Sequence, residues 1–521
     1  MSATDAASLA EAGARAKAAT RRQIRGSSLL LAGRMLSKGA NLAIQVLIVR
    51  HLAKEEFGAF AYGLSVVTVV QTFVTFGLDR AVTRFVPMHH ERGDYRKVFG
   101  TFFMVVGSLL ALGVAAVAST FVLFALAGDA LVADPLARAL LLILIFLAPI
   151  DAIDAVLVGM FAVFAKPRAI FVRRYLLAPA LRLGVVLALV LGGFGVHFLA
   201  AGYVVASLVG VAACVGLLVR LLRDEGLLGR VRLREIEIPW RPVLAFTLPL
   251  LSSDLLFAAM HVMDTILLEH FHGTSAVAGY RAVYPAAHLN TLIFASFGTL
   301  FTPLAARMFA RGDRAGIDHH YWQTAVWIAV LSFPIFVVTC SLAQPVTVLL
   351  FGEAYRDSAV ILAILAVGQY VNAATGMNGL TLKVYGKLGY VFVLNLVTLA
   401  VTVAVNWILI PPFGALGAAV GTTATLLVHN LLKQAGVGIY TWVRFFDPHY
   451  LRVYALIAGS AALLFAAQHW LPLPLPVDLA LAALSSLLVL RGNRRLLDVE
   501  NTLPELARIP LLARLLGRPG S

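Results

Sequence analysis

Residues 27–51 read SSLLLAGRMLSKGANLAIQVLIVRH, a stretch long and apolar enough to cross a bilayer that nevertheless carries Arg34, Lys38, Asn41 and Gln45. At about 100° per residue these four side chains fall within roughly 60° of one another, forming one polar stripe on an otherwise apolar helix. Helical rise places Arg34 about 10 Å and Lys38 about 16 Å in from Ser27. A cation at that depth costs about 2.5–3.5 kcal/mol on insertion scales, so the stripe is expected to face a wet cavity or a partner charge. The structural alternative is that Arg34 snorkels to the headgroups and Lys38 pairs with a neighbouring acid.

Working outward, 60% of the 521 residues are hydrophobic and 13% charged, and the mean hydropathy is +0.87. Those values exclude an ordinary soluble domain and specify an all-α polytopic membrane protein. The formal charge of +15 does not indicate nucleic-acid binding, because Lys and Arg sit in short loops and tails between apolar runs. Cys214 and Cys340 lie far apart inside apolar segments with no CxxC, which predicts neither a disulfide framework nor a metal site. No Walker A loop, HExxH or GxSxG arrangement is present, so neither an ATPase nor a hydrolase is indicated.

Apolar runs measured against the roughly 20 residues needed per crossing predict about fourteen transmembrane helices. Internal prolines such as Pro149, Pro179, Pro249, Pro285, Pro303 and Pro334 predict kinks. Basic residues crowd alternate loops, for example Arg92, Arg96 and Lys97, then Lys166 and Arg168, then Arg220 to Arg241, whereas the opposite loops hold only Arg50, Lys54, Arg138 and Arg356. That asymmetry predicts an even number of spans with both termini cytoplasmic. The chain also repeats: FGVHFLAAG (Phe194 to Gly202) matches FGALGAAVG (Phe413 to Gly421) at an offset of 219 residues, and Val49 to Ser65 has a looser echo in Leu268 to Tyr284. The expected organisation is a cytoplasmic tail at 1–26, a six-helix lobe at 27–222, a charged linker at 223–239, a second six-helix lobe at 240–445, a helix pair at 450–491 and an amphipathic cytoplasmic tail at 492–521. Six is even, so the lobes should be related by a pseudo-two-fold axis along the membrane normal, as in an alternating-access carrier with its site between them.

Three stretches carry a family resemblance: NLAIQVLIVRHLAKEEFGAFAYGLSVV (41–67), FGLDRAVTRFVPMHHERGD (Phe76 to Asp94) and AGYRAVYPAAHL (Ala278 to Leu289). They resemble the polysaccharide (O-antigen type) flippases of the multidrug/oligosaccharidyl-lipid/polysaccharide exporter superfamily. Ala53 and Lys54 stand where members typically carry Gly-Pro after the first helix. The resemblance implies the fold of that superfamily's multidrug exporters and lipid flippases. It also implies carriage of a polyprenyl-diphosphate-linked oligosaccharide from the cytoplasmic to the outer leaflet of a bacterial inner membrane, without covalent chemistry. Membrane lipid and polysaccharide-synthesis enzymes are the other partners it suggests.

Such a cargo presents anionic oxygens, which suit a cationic cavity. Arg34, Lys38, Asn41, Gln45, Arg80 and Arg182 are therefore the expected substrate-binding residues, Arg182 lying about 20 Å into its span. Arg84, Arg173 and Arg174 are better explained by positive-inside topology. In the second lobe, Asp254 and His261 share a helix face and Asp264 lies within roughly 80° of it, a natural H⁺ or Na⁺ relay. The competing expectation is that these acids pair with Arg34 or Lys38, or that His261 and Asp264 sit near the outer mouth. Asn372, Asn378, Asn395 and Asn406 read as helix-to-helix hydrogen-bonding groups rather than sugar ligands. Two other functions are to be weighed: a cation-coupled multidrug exporter, which would favour an acidic first-lobe cavity, and a membrane glycan polymerase or ligase, which would need a large outside loop.

Overall fold

The computed structural model describes residues 32–164, 167–224, 226, 236–471 and 474–497. The N-terminal tail 1–26, Lys166, most of the 223–239 linker and the tail after residue 497 lie outside the described residues. Among the described residues there are helices and short connections but no strand. In a bilayer an α-helix satisfies its backbone hydrogen bonds internally, which an open sheet cannot do.

The first unit, residues up to Ala258, opens with α1 (residues 32–51), α2 (Lys54–Thr75), α3 (Leu78–Glu91) and α4 (Tyr95–Leu131). It continues through α5 (Pro135–Leu144), α6 (Leu147–Val163), α7 (Pro167–Ile170), a π-helical turn at Phe171–Leu177, α8 (Ala178–Gly192) and α9 (Val196–Asp224). Local chemistry sets the breaks. Glu56 reaches back to the backbone N–H of Ala53 at 3.1 Å and opens α2 where the flippase-like stretch lacks its Gly-Pro. Asp94 and Asp134 cap α4 and α5 through their carboxylates, and Pro135 occupies the first turn of α5. The core is formed by Val82, Phe85 and Val86 of α3, Val105 and Leu109 of α4, Val156 and Phe161 of α6, and Leu218 of α9.

The long helix α10 (Trp240–His288) runs from the first unit into the second, because the division between the two falls within it at Ala258/Ala259 rather than in the 223–239 linker. The second unit adds α11 (Leu292–Ala310), α12 (Arg314–Cys340), α13 (Ala343–Phe351), α14 (Ser358–Ala374), α15 (Asn378–Val384), α16 (Leu388–Tyr440), α17 (Pro448–Trp470) and α18 (Leu475–Gly492). Its core gathers Trp327 and Phe333 of α12, Tyr370 of α14, Tyr450 of α17, and Ala482 and Val489 of α18. The final helix pair, outside the sequence repeat, thus packs on α12.

Among the described residues, eleven helical stretches are long and apolar enough to cross a membrane. Two of them, of 60 and 53 residues, far exceed one crossing, and each is broken at a glycine of positive φ: Gly273 (72°) and Gly414 (54°). The fourteen crossings read from the sequence require both to count double and residues 32–51 to be a further span. The 219-residue offset carries the break at 52–53 onto 271–272, beside Gly273, and Gly195, at the entry of α9, onto Gly414. Exposed Leu126, Leu191, Leu463 and Trp470 form the kind of apolar surface that lipid covers.

Candidate functional site

On α1, Ile44, Ile48 and Val49 are buried, whereas Met35, Leu36, Gly39 and Ala43 all face outward. By helical angle that outward apolar sector is centred about 145° from the stripe of Arg34, Lys38, Asn41 and Gln45. Arg34 and Asn41 are nevertheless exposed, and Lys38 and Gln45 are half-buried. The helix is therefore open on two sides of different chemistry: an apolar one that suits lipid and a polar one that suits water. Asn41 donates to Ser37 Oγ at 3.3 Å. Among the described residues, neither Arg34 nor Lys38 has a carboxylate partner, and one turn apart they repel each other.

Arg80 and Asp254, assigned to separate tasks from sequence, meet: Arg80 Nη2 donates to Asp254 Oδ1 at 2.8 Å. A tight turn brings them together. Phe76 (φ 50°) and Gly77 (φ 66°) both adopt the left-handed conformation between α2 and α3, an arrangement that costs Phe76 about 1–2 kcal/mol. A Cβ at Gly77 would lie 3.3 Å from Leu250 Cβ and 3.5 Å from Thr247 O, so α3 starts hard against α10. One turn onward on each helix stand Arg80 and Asp254. The expected partners of Asp254, Arg34 and Lys38, are replaced by Arg80 because this close approach fixes α3, not α1, beside it. The pair stays open, with 47% and 27% of its side chains exposed.

The fifth predicted span contains a second charged cluster. Its π-helical turn lies just ahead of Pro179, which has no N–H to donate and would crowd the carbonyl of Tyr175 in a regular helix. Arg173 on that turn is 4% exposed and contacts Asp154 of α6 at 2.6 Å, though not in hydrogen-bonding alignment. Beyond the topological reading, Arg173 is a buried ion-pair partner, while Arg174 is exposed and Arg84 lies over Phe246 at 4.4 Å. A Cβ at Gly210 would sit 2.7 Å from Arg173 Nη2, so α9 leaves the guanidinium its room. Arg182 lies over the Tyr203 ring at 5.5 Å and within electrostatic reach of Asp151, which is hydrogen-bonded to Ser207. Arg182 is thus engaged by residues of α6 and α9. Asp151 and Asp154 were missed in the sequence, although two carboxylates three residues apart in an apolar span are a signal in themselves.

In the second unit Asp264 is 4% exposed and richly bonded. It accepts from the Tyr280 hydroxyl, from the Thr265 backbone N–H at 2.7 Å and from Thr422 Oγ1 at 3.5 Å, with Arg281 Nη2 at 3.9 Å. Arg281 also donates to Thr265 Oγ1 at 2.6 Å and to the His261 carbonyl at 3.3 Å. Asp264 is thus answered within its own unit, by its neighbour Thr265 and by Tyr280, Arg281 and Thr422 beyond the Gly273 break, and pairs with neither Arg34 nor Lys38. Arg281 and Tyr280 sit inside the AGYRAVYPAAHL stretch, whose charge was the overlooked signal. His261 is exposed. Asn372 and Asn378 bond to Asn430 at 2.9 and 3.3 Å, tying α14 and α15 to α16.

Known proteins resemble this chain at three levels. Residues 24–309, more than half of the chain, match the family model described as polysaccharide biosynthesis protein, and residues 249–408 match the MatE model. Agl15 of Haloferax volcanii, named as a probable low-salt glycan biosynthesis flippase, is 19% identical over 183 residues, which is 35% of this chain and 39% of that protein. The curated relatives are matched over about a third to a half of their own length. Among solved structures, lipid II flippase MurJ in an inward closed conformation has a TM-score of 0.67 at 12% identity, covering 91% of this chain and 99% of that one. An inward-facing multidrug resistance MATE transporter of the MOP superfamily has a TM-score of 0.64 at 17% identity, covering 77% and 94%. At such identities these two establish the fold. Matched by one family model over more than half its length, this multi-pass membrane chain belongs to the polysaccharide biosynthesis protein family, and its fold is the one seen in MurJ and the MATE carriers.

Proposed function

We propose that this protein carries a polyprenyl-diphosphate-linked oligosaccharide from the cytoplasmic to the outer leaflet of a bacterial inner membrane by alternating access, with both termini cytoplasmic. The observation that carries this reading is the exposed polar sector of α1, where Arg34 and Lys38 stand one turn apart, with no carboxylate partner among the described residues, opposite the outward apolar sector. Two cations held side by side favour a dianionic group through charge-assisted hydrogen bonds. The likeness to Agl15, named as a probable glycan flippase, and to the lipid II flippase MurJ supports a lipid-borne glycan cargo. No covalent step is required, since only position changes.

Resetting an empty carrier needs a group that differs between its two states. Asp254 is that group in this proposal, exchanging Arg80 for H⁺ or Na⁺; the enclosed Asp264 already has Arg281 as its counter-charge. A multidrug exporter is the second reading, favoured by the MatE match over residues 249–408. Arg34→Ala and Lys38→Ala decide between them. Both variants are expected to reach the membrane in normal amount and to lose surface glycan, with lipid-linked intermediate accumulating inside. Normal glycan together with altered drug resistance would establish the exporter reading instead.

A further inference from the structure

The described carboxylates that form ion pairs in the second unit do so away from one group of cations. Asp264 has Arg281 beside it, Asp318 and Asp447 flank Arg444, and Glu353 holds Arg356. Lys387 rests over the Tyr440 ring at 5.5 Å. Lys383 of α15 and Lys433 of α16 have no such partner among the described residues, and His429, 7% exposed, makes no hydrogen bond there. The three are held together by construction. His429 and Lys433 are four residues apart on one face of α16, and Gly379 and Lys383 are four apart on α15. A Cβ at Gly379 would lie 3.6 Å from Lys433 Cε and 4.0 Å from its Nζ, so the lysine stem crosses α15 at the glycine.

The register of that crossing is fixed by buried amides. Asn430, 3% exposed, accepts from Asn378 Nδ2 at 3.3 Å and from Thr375 Oγ1 at 3.0 Å, and donates to Asn372 Oδ1 at 2.9 Å. Lys433 follows Asn430 by three residues and Lys383 follows Asn378 by five, so the amide seam places both ammonium groups at its end. Lys433 stands close enough to Lys383 for the two ammonium groups to repel, and His429 lies beside Lys433 as a buried imidazole that can donate a hydrogen bond. Like charges kept side by side by a satisfied scaffold call for an anion to neutralise them.

We propose that Lys383, Lys433 and His429 form an anion site in the second unit that takes a phosphoryl group, borne either by a membrane lipid or by a free solute. The proposal goes beyond the flippase reading, because it concerns the unit that lacks the α1 cations and needs no transport to be observed. Two probes separate the sources. Purified full-length protein is titrated with inorganic pyrophosphate in detergent, and lipid retention is measured by native mass spectrometry from nanodiscs of phosphatidylcholine with and without phosphatidylglycerol. Lys433→Gln is expected to weaken one or both interactions about tenfold, and Lys433→Arg to retain them. Loss confined to phosphatidylglycerol assigns a lipid phosphate, and loss confined to pyrophosphate a free one. Should Lys433→Gln fail to fold, Lys383→Gln on the exposed end of α15 decides with the same expected loss. Wild-type protein that binds neither probe, or binding untouched by both substitutions, overturns the site. Arg34→Ala, which tests the flippase reading, removes only the α1 share of pyrophosphate binding, and Lys433→Gln should lower the remainder by the same factor in that background.

Discussion

In the first unit Arg34 and Lys38 stand on an open face of α1 with no carboxylate beside them among the described residues, whereas in the second the intramembrane Asp264 is closed in by Tyr280, Thr265 and Thr422 with Arg281 at 3.9 Å. The first unit also contains two contrasting ion pairs: in Arg173–Asp154 the arginine is sealed, 4% exposed against 24% for its aspartate, whereas in Arg80–Asp254 the arginine is 47% exposed. Depth and partner, not residue type, separate a structural charge from one free to act. A sealed pair must hold the fold, because losing one member leaves a buried charge. An open pair contributes little to stability and can exchange partners.

The contrast is tested most severely at the sealed pair. Asp154→Ala is expected to cost about 3–5 kcal/mol, read as a large drop in melting temperature in detergent, because Arg173 then lies buried and unpaired. Adding Arg173→Leu should recover most of the loss. A double variant no more stable than the single one would show that the pair is not what holds α6 to the π-helical turn.

A smaller effect is expected at Asp264→Asn. The amide oxygen can still accept from Tyr280, and Arg281 keeps Thr265, so about 1–3 kcal/mol should be lost with folding retained. A loss as large as that of Asp154→Ala would place Asp264 among the structural charges and erase the difference between the units.

Smallest in stability is Asp254→Asn, because the Arg80 pair is exposed to 47% and 27% and such pairs contribute roughly 0–1 kcal/mol. Melting should barely move while export driven by an ion gradient stops and lipid-linked glycan still binds. A fully active Asp254→Asn protein removes Asp254 from coupling, and a marked fall in stability returns it to a structural role.

Much of this molecule is legible from local chemistry. The membrane class follows from apolar run length, and the polar stripe of α1 follows from the helical period alone. The 219-residue repeat anticipates breaks that the backbone makes at Gly273 and Gly414, since a glycine of positive φ acts within its own turn. Arg173 shows where such reading stops. A basic residue near a predicted span end is usually topological, and only the π-helical turn before Pro179, with Gly210 opposite, sends this one inward to Asp154.

What the sequence by itself determined, then, is which segments are helices, where they break and which of them carry charge into the membrane, because those properties are set by neighbours a few residues away. The tertiary structure alone decided who answers each charge. Arg80 and Asp254 are 174 residues apart, Asn430 meets Asn372 across 58, and Tyr280 meets Thr422 across 142. A buried charge or amide demands a partner, but helical period and composition are silent on which helix will supply it; that depends on close approaches such as Gly77 against Thr247 and Leu250, which exist only once the helices have packed.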